Sequence, residues 1–482
     1  MLKGFTRKFK PLEILTEEQI QAIHRGTLDI LETTGVRVEH DRALEIFADH
    51  GCEVDAKEKR VRIPGYLVEE CLRRCPSSFA LRARDPKNNV RIGGNTLYFA
   101  HNVGMRYLDL DTWETRPGTL KEHNDAIKIL DALDTVHMLV PHQFYMDMKD
   151  VSPFMMQLEG LVSGIRNSSK VVSAGYSYDW ELFAIKLGKA LGIDVRGTMT
   201  VSPPLTLYQD CCEAGFRYAE AGFPIAIASG AAFGGTGPAT LAGSTVTNNA
   251  EIVAALVLVQ LIRPGTGVLA CDFTFPMDMQ YGNPVFGAME SALHQVMFDQ
   301  LWRWYGVPSS NWHAGYTNSK KIDFQAGYER TMTTLLYALA GDNVCTLHGS
   351  VYGELAYHPV MSIIDDDVAG WIGRFLEGVE VNDETLAIDL IEKVGPIPGQ
   401  YLNTEHTRKW WRKEQFIPKV ADREPYPGWL KKGKKDTVEL AKERMAEILA
   451  KHEPKPLTPE QDKAIAEILE EARSFYRQKG LI

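Results

Sequence analysis

The chain has 482 residues, 44% of them hydrophobic and 24% charged. That is the composition of a folded globular protein, and it excludes disorder, a coiled coil and a disulfide-stapled miniprotein as descriptions of the whole. A net charge of -10 argues against nucleic acid as the main partner, since such binding needs a basic face.

The first fifteen residues are basic but contain no apolar run of signal length. No stretch reaches the ~18 uncharged apolar residues of a membrane span. The most apolar segment, 252–262, is helix-sized and internal. A cytoplasmic protein without a membrane partner is therefore expected. The seven cysteines are scattered, with no recurring CxxC pair and no zinc spacing, which predicts buried reduced thiols and no metal.

Residues 1–95 read as an N-terminal α+β extension. Helices are predicted over 17–33, over 41–50 and from Gly65 to Arg74, with a strand at Arg60–Ile63. From residue 96 short apolar runs alternate with amphipathic helical stretches. The predicted strands are 96–102, 137–145, 170–177, 198–204, 224–230, 267–275, 309–316 and 343–351. Helices are predicted near 119–133, 153–167, 180–192, 208–222, 237–262, 286–305, 322–341 and 359–378. Near-continuous apolar strands alternating with helices mean a parallel sheet covered on both faces. Eight βα units is the number that closes a TIM (β/α)8 barrel, here over 96–379. The competing open sheet would usually carry a glycine-rich phosphate loop after an early strand, and none follows the first one. Residues 380–482 read as a helical C-terminal extension, with helices at 436–451 and 458–479 beyond a basic turn at Lys431–Lys435. It is expected to clasp the barrel or a neighbouring subunit, weakly favouring a homo-oligomer.

In such a barrel the site lies at the C-terminal strand ends. Aromatics recur at six of the eight. Tyr98 and Phe99 end the first strand, Phe144 and Tyr145 the second, Tyr176 the third, Phe273 and Phe275 the sixth, Trp312 and Tyr316 the seventh, and Tyr352 the eighth. A dry aromatic cup suits a quaternary ammonium ion, which has no N–H to donate and is held by ring faces. No Lys or Arg closes any strand, which counts against Schiff-base aldolases and phosphate substrates. Asp272 is the sole strand-end carboxylate. His101, His142, His313 and His348 are open to metal binding, but strand-end histidines more often hydrogen-bond a ligand or the backbone. The run Gly234–Gly235–Thr236–Gly237–Pro238 is not GxGxxG and no Lys follows, so it reads as a glycine turn with Pro238 opening the next helix. Glu251 reads as an exposed or capped carboxylate, and Asp365–Asp366–Asp367 as a solvated acidic run at a helix start.

Four blocks together carry a resemblance. They are Gly234–Gly243 with Asn249–Ala250–Glu251 and Arg263–Pro264–Gly265, then Lys320–Glu329, then Ile364–Asp367, then Tyr401–Leu402 and His406–Thr407 through to Trp429. In order, and over residues ~10 to ~450, the chain resembles the trimethylamine methyltransferase superfamily. The resemblance implies a TIM barrel. The founding members contain pyrrolysine and demethylate trimethylamine. This chain holds only the twenty ordinary residue types, so it looks like the pyrrolysine-free branch. That branch implies methyl transfer from a quaternary amine, such as glycine betaine, proline betaine or carnitine, to the Co(I) corrinoid of a separate small protein, with no tightly bound cofactor. On this basis Tyr98, Phe99, Phe273, Phe275, Trp312 and Tyr352 are expected to cage the cation. His142, Gln143, His313 and His348 are expected to hydrogen-bond its carboxylate. The rival readings are a metal-dependent TIM-barrel hydrolase or lyase, and a non-catalytic betaine-binding protein.

Overall fold

The computed structural model describes residues 3–140, 145 and 148–482. It is a mixed α/β fold, about half helical, built on a curled parallel sheet. Its strands in chain order are β1 (Thr96–His101), β2 (Val136–Met138), β3 (Val172–Ser173), β4 (Val195–Thr200), β5 (Ile225–Ser229), β6 (Val268–Asp272), β7 (Ser309–Asn311) and β8 (Val344–His348). Each pairs in parallel with the next except β2 with β3, and β8 pairs with β1. The junction between β2 and β3 is thinner: one bridge from Met138 to Val171, and the Leu139 N–H donating to the Val171 carbonyl at 2.8 Å.

The strands are shorter than expected. The predicted 309–316 strand stops at Asn311, and the predicted 170–177 strand is reduced to Val172–Ser173. The excess residues have strand-like composition but turn away into loops that build the rim above the sheet. The predicted helices hold closely. They are α1 (Leu120–Ala132), α2 (Met156–Asn167), α3 (Trp180–Leu191), α4 (Gln209–Ala221), α5 (Leu241–Ile262), α6 (Met289–Tyr305), α7 (Phe324–Ala340) and α8 (Pro359–Leu376). Helix α5 is long and apolar enough to cross a membrane, yet most of it is buried among its neighbours within the protein. It begins at Leu241 and not at Pro238.

Side chains alternate across each strand. Tyr98, Ala100, Ala226, Ala228, Leu269, Cys271 and Val344 point into the curl and form one apolar cluster. Leu97, Phe99, Cys345 and Leu347 belong to a different cluster, with residues of the helix layer. The hairpin Ser78–Leu81/Val90–Gly93 sends Phe79, Leu81, Val90 and Ile92 into the inner cluster, so residues of the N-terminal segment help fill the sheet's interior. At the other end of the chain, α9 (Thr437–Lys451) packs on α8 and α10 (Pro459–Gln478) packs on α3. The C-terminal helices thus clasp this chain's own helix layer. All seven cysteines are free and buried, and burial pushes the Cys52, Cys75, Cys211 and Cys271 thiols up to about 12.

The acidic run Asp365–Asp366–Asp367 is a correction to the sequence reading. It lies in the middle of α8, and all three residues are buried. Each carboxylate has its own partner. Asp365 pairs with Arg330 of α7 and accepts the Gly349 N–H at 2.8 Å. Asp366 accepts the Thr135 N–H and hydroxyl at 3.1 and 2.6 Å and the Lys419 ammonium at 2.9 Å. Asp367 accepts the N–H groups of Lys419, Val420 and Ala421 at 2.7, 2.8 and 3.1 Å. Three adjacent acids in a helix resemble a solvated face in sequence, because their partners come from four distant segments. Burial pushes the Asp365 carboxyl up to about 6, which leaves it ionised against Arg330 at neutral pH. Burial also works against ionising Asp366, but Lys419 and the Thr135 hydroxyl outweigh it and hold that carboxyl below its ordinary value.

Breaking one partner of such a pair leaves a buried charge uncompensated. Asp365→Asn is expected to destabilise the protein by about 3–5 kcal/mol in chemical denaturation. A loss below about 1 kcal/mol would contradict the assigned anchor.

Candidate active site

A cavity of about 380 Å³ opens at the C-terminal ends of the strands. Its wall is contributed by β1 and the loop after it (His101 to Met105), β4 and its loop (Thr200 to Pro203), and the end of β5 (Ala228 to Gly230). Phe273 follows β6, Trp312 and Tyr316 follow β7, and Thr346 and Glu354 come from β8 and beyond.

Two rings anchor a larger aromatic assembly. Phe273, Phe275, Phe286 and Tyr316 form a closed circuit of ring contacts, three edge-to-face and one (Phe275–Phe286) tilted, with centroid separations of 5.7, 5.7, 5.2 and 6.1 Å. Edge-to-face geometry of this kind fixes ring orientation as well as burying area. Gly230 makes room for it: a Cβ there would lie 2.7 Å from the Phe273 carbonyl. Gly315 allows the strand ends to approach, since its Cβ would fall 2.1 Å from the Leu347 carbonyl.

Glu354 is the one acidic residue in the wall, and no Lys or Arg lines it among the described residues. Its carboxylate accepts the Tyr316 hydroxyl at a long 3.5 Å, and burial pushes it above the ordinary carboxylate range. His101 Nε2 accepts the Val140 N–H at 3.2 Å, so its Nδ1 carries the proton and donates to the Asn102 carbonyl at 2.8 Å. That ring is held in one tautomer.

Of the residues expected from sequence, Phe273 and Trp312 line the cavity. Phe275 stands one ring behind, in the aromatic circuit. The other expected cage residues are placed elsewhere. Tyr98 is in the inner core below, its hydroxyl accepting the Arg91 N–H at 3.3 Å. Phe99 points to the helix layer, against Phe5. Tyr352 has its ring covered by the Lys320 ammonium at 4.4 Å.

Of the expected carboxylate-binding histidines, His348 is engaged with the protein, whereas the buried His313 Nε2 finds no hydrogen-bond partner among the described residues. His348 Nε2 donates to the Thr135 hydroxyl at 2.9 Å, which in turn donates to Asp366. His313 packs between Phe273 and Tyr337. Burial lowers both imidazoles to about 4, so they are neutral. His142 and Gln143 lie outside the described residues. The physical reasons differ: strand parity turns Phe99 to the helix layer, Tyr98 faces inward but lies below the cavity, and Tyr352 lies beyond the end of β8. Tyr316 was noted as a strand-end aromatic but not placed in the cage, and Glu354 carried no signal, being one acid in a loop.

No three His, Cys, Asp or Glu side chains converge in a metal-binding group among the described residues. Asp272 faces away from the cavity. It accepts His294 Nδ1–H at 2.9 Å, the Thr274 hydroxyl at 2.6 Å and the Asn248 amide at 3.0 Å. The Gly234–Gly237 turn satisfies its own N–H groups on the Ala232 and Gly237 carbonyls, leaving no cradle for an anion.

Glu251 is fully buried, not exposed. It accepts the Leu205 N–H at 2.8 Å and the Ser229 hydroxyl, tying the loop after β4 to the end of β5. Ser202, Pro203 and Ser229 are cavity wall, so this carboxyl supports the wall from behind.

Comparison with known proteins fits this architecture to a family. The family model described as trimethylamine methyltransferase (MTTB) matches residues 1–474. The chain is 35% identical to the glycine betaine methyltransferase of Desulfitobacterium hafniense strain Y51, covering 97% of each. It is 32% identical to the trimethylamine methyltransferase MttB of Methanosarcina thermophila, covering 92% of this chain and 94% of that one. The solved monomethylamine methyltransferase MtmB of Methanosarcina barkeri aligns with a TM-score of 0.48 at 10% identity, over 97% and 96% of the two chains. The chain belongs to the trimethylamine methyltransferase family.

Burial pushes the Glu251 carboxyl up to about 7, above its ordinary 4.5. The folded state therefore holds a proton that the unfolded chain releases, and stability is fully present below pH ~4.5 and lost as pH rises through about 7. Glu251→Gln removes that dependence. The stability of the variant relative to the parent should rise by about 3 kcal/mol between pH 4.5 and 7.5 in denaturant titrations. A difference that stays flat with pH would contradict it.

Proposed function

We propose that the protein is a methyltransferase that moves a methyl group from a quaternary amine to the Co(I) corrinoid of a separate protein. Family membership supports the reaction class. One observation carries the substrate class: a cavity walled by Phe273, Trp312 and Tyr316, with Glu354 as its only charged group among the described residues. Ring faces attract a methylated cation at roughly 0.5–2 kcal/mol each, and one carboxylate supplies the counter-charge. The same wall is poorly suited to a phosphate or a free anion at that level.

In the proposed architecture the curled sheet is a (β/α)8 barrel over 96–379. The Met138–Val171 bridge is its thinnest seam, and both flanking regions are fastened to it. A cytoplasmic location accords with this reading.

The chemistry asks little of the side chains. Methyl transfer from R–N(CH3)3+ is an in-line displacement whose leaving group is a neutral amine, so no proton has to be donated. A cavity of about 380 Å³ admits a small amine but not a corrinoid macrocycle, so the acceptor meets the substrate at the mouth. When present there, the Co(I) ion supplies the nucleophile. The residues of this chain hold the C–N bond in line and keep water out, which is catalysis by positioning. Cationic charge on nitrogen disappears as the methyl leaves, so a cage that gripped it tightly would favour the ground state over the transition state. Three aromatic rings and a carboxylate already tied to Tyr316 make a loose grip.

The test is incubation with free Co(I) cobalamin and a panel of quaternary amines, followed by visible spectroscopy. Methylcobalamin should form with at least one of them, and Glu354→Gln should raise KM about tenfold with a smaller change in kcat. No conversion with any amine would contradict the reading.

A further inference from the structure

Below the cavity floor lies a cation with no counter-charge among the described residues. Along β4, Arg196, Thr198 and Thr200 are spaced by two and share the inward face. Thr200 and its cross-strand neighbour Ala228 line the cavity. Thr198 pairs one level deeper with Ala226, a member of the inner cluster. Arg196 is deeper again, in register with Ser173 of β3.

Arg196 is 1% exposed, and its Nε and Nη1 find no hydrogen-bond partner among the described residues. The hydroxyls of Ser173 and Thr198, equally buried, find none either. The one ionisable neighbour that acts on the guanidinium is Cys271, whose thiol burial keeps protonated. Cys271 is the cross-strand neighbour of Ala228, which lines the cavity, while Arg196 itself lies four residues below Thr200 along β4 and beneath the lining.

Buried charges are normally paired, and buried hydroxyls normally bonded. Arg330, equally buried, shows the rule in this protein: its donors are taken by Asp365 and by three backbone carbonyls. At Arg196 two guanidinium nitrogens, Nε and Nη1, and two nearby hydroxyls are left without partners among the described residues, and these are donors that a carboxylate accepts from.

We infer that Arg196, Ser173 and Thr198 form an anion site at the base of the cavity that takes the carboxylate of a zwitterionic quaternary amine. This rests on the function proposed above and narrows its substrate class. The zwitterion then lies along the barrel axis, with its carboxylate inward and its trimethylammonium group among Phe273, Trp312 and Glu354. The methyl groups are thereby turned to the mouth, where the acceptor arrives. A free carboxylate such as acetate shares the chemistry of the substrate's own end, and competition separates the two sources.

Calorimetry with glycine betaine, carnitine and tetramethylammonium tests this on the full-length protein, with thermal melting as the folding control. For Arg196→Met, the Kd of the tightest carboxylated amine divided by that of tetramethylammonium should rise at least 30-fold. Thr198→Val, nearly isosteric, should raise it about fivefold and decides the question if Arg196→Met does not fold. Acetate at high concentration should weaken the carboxylated amine and spare tetramethylammonium; acetate that binds in an Arg196-dependent way without competing would overturn the assignment to the substrate. A ratio that stays within twofold in every folded variant overturns the anion site. Arg196-dependent binding with no methyl transfer to Co(I) cobalamin keeps the site and overturns the methyltransferase reading. Methyl transfer from tetramethylammonium with no binding of a carboxylated amine does the reverse.

Discussion

The Arg330 guanidinium, buried between α7 and the ends of β7 and β8, gives its donors to the carbonyls of Gly315, Leu347 and Ser350 and to the Asp365 carboxylate. Those carbonyls sit where two strands stop and the cavity wall begins. Trp312 and Tyr316 lie on one side of that junction, and Glu354 on the other. Asp366 and Asp367 extend the same anchor from α8 to the start of β2 and to the segment 419–421. A single helical turn of acids therefore ties the top of the sheet to its helix layer and to the C-terminal region. Buried ion pairs are poor sources of net stability, but breaking one is costly. Their contribution here is to place the rim.

What the rim encloses follows from that placement. The aromatic circuit orients Phe273 and Tyr316 across the cavity from Ser202 and Pro203, and Glu251 holds that opposite wall from behind. Neither wall carries a basic side chain among the described residues, while one carries a carboxylate. The polarity runs from Glu354 in the wall to Arg196 beneath the floor. A cation with a tail of opposite charge matches that axis, and the proposed transfer needs little beyond its alignment.

The sequence made the architecture legible and the site only in part. The eight helices of the sheet's outer layer are readable from apolar residues at helical spacing, helped by end signals in some of them, such as the capping box at Thr119 and the glycines Gly192, Gly222 and Gly306 at helix ends. Strand ends were less so, since rim loops share the small and apolar composition of the strands beneath. Of the strand-end aromatics, Phe273 and Trp312 line the cavity, whereas parity sends Phe99 to the helix layer. Glu251 and Asp365–Asp367 were misread for one reason. A buried acid is identified by partners, and Leu205, Ser229, Arg330, Thr135 and Lys419 are distant in sequence. Glu354 and Arg196 had no local pattern at all.

The central claim is that a methylated cation sits in this cavity, against ring faces and one carboxylate. A crystal structure of the protein soaked with tetramethylammonium tests it most directly. The account predicts the cation within ~6 Å of the Trp312 and Phe273 ring centroids, with Glu354 as the nearest carboxylate. A cation bound elsewhere, or bound in the cavity away from those rings, would contradict it.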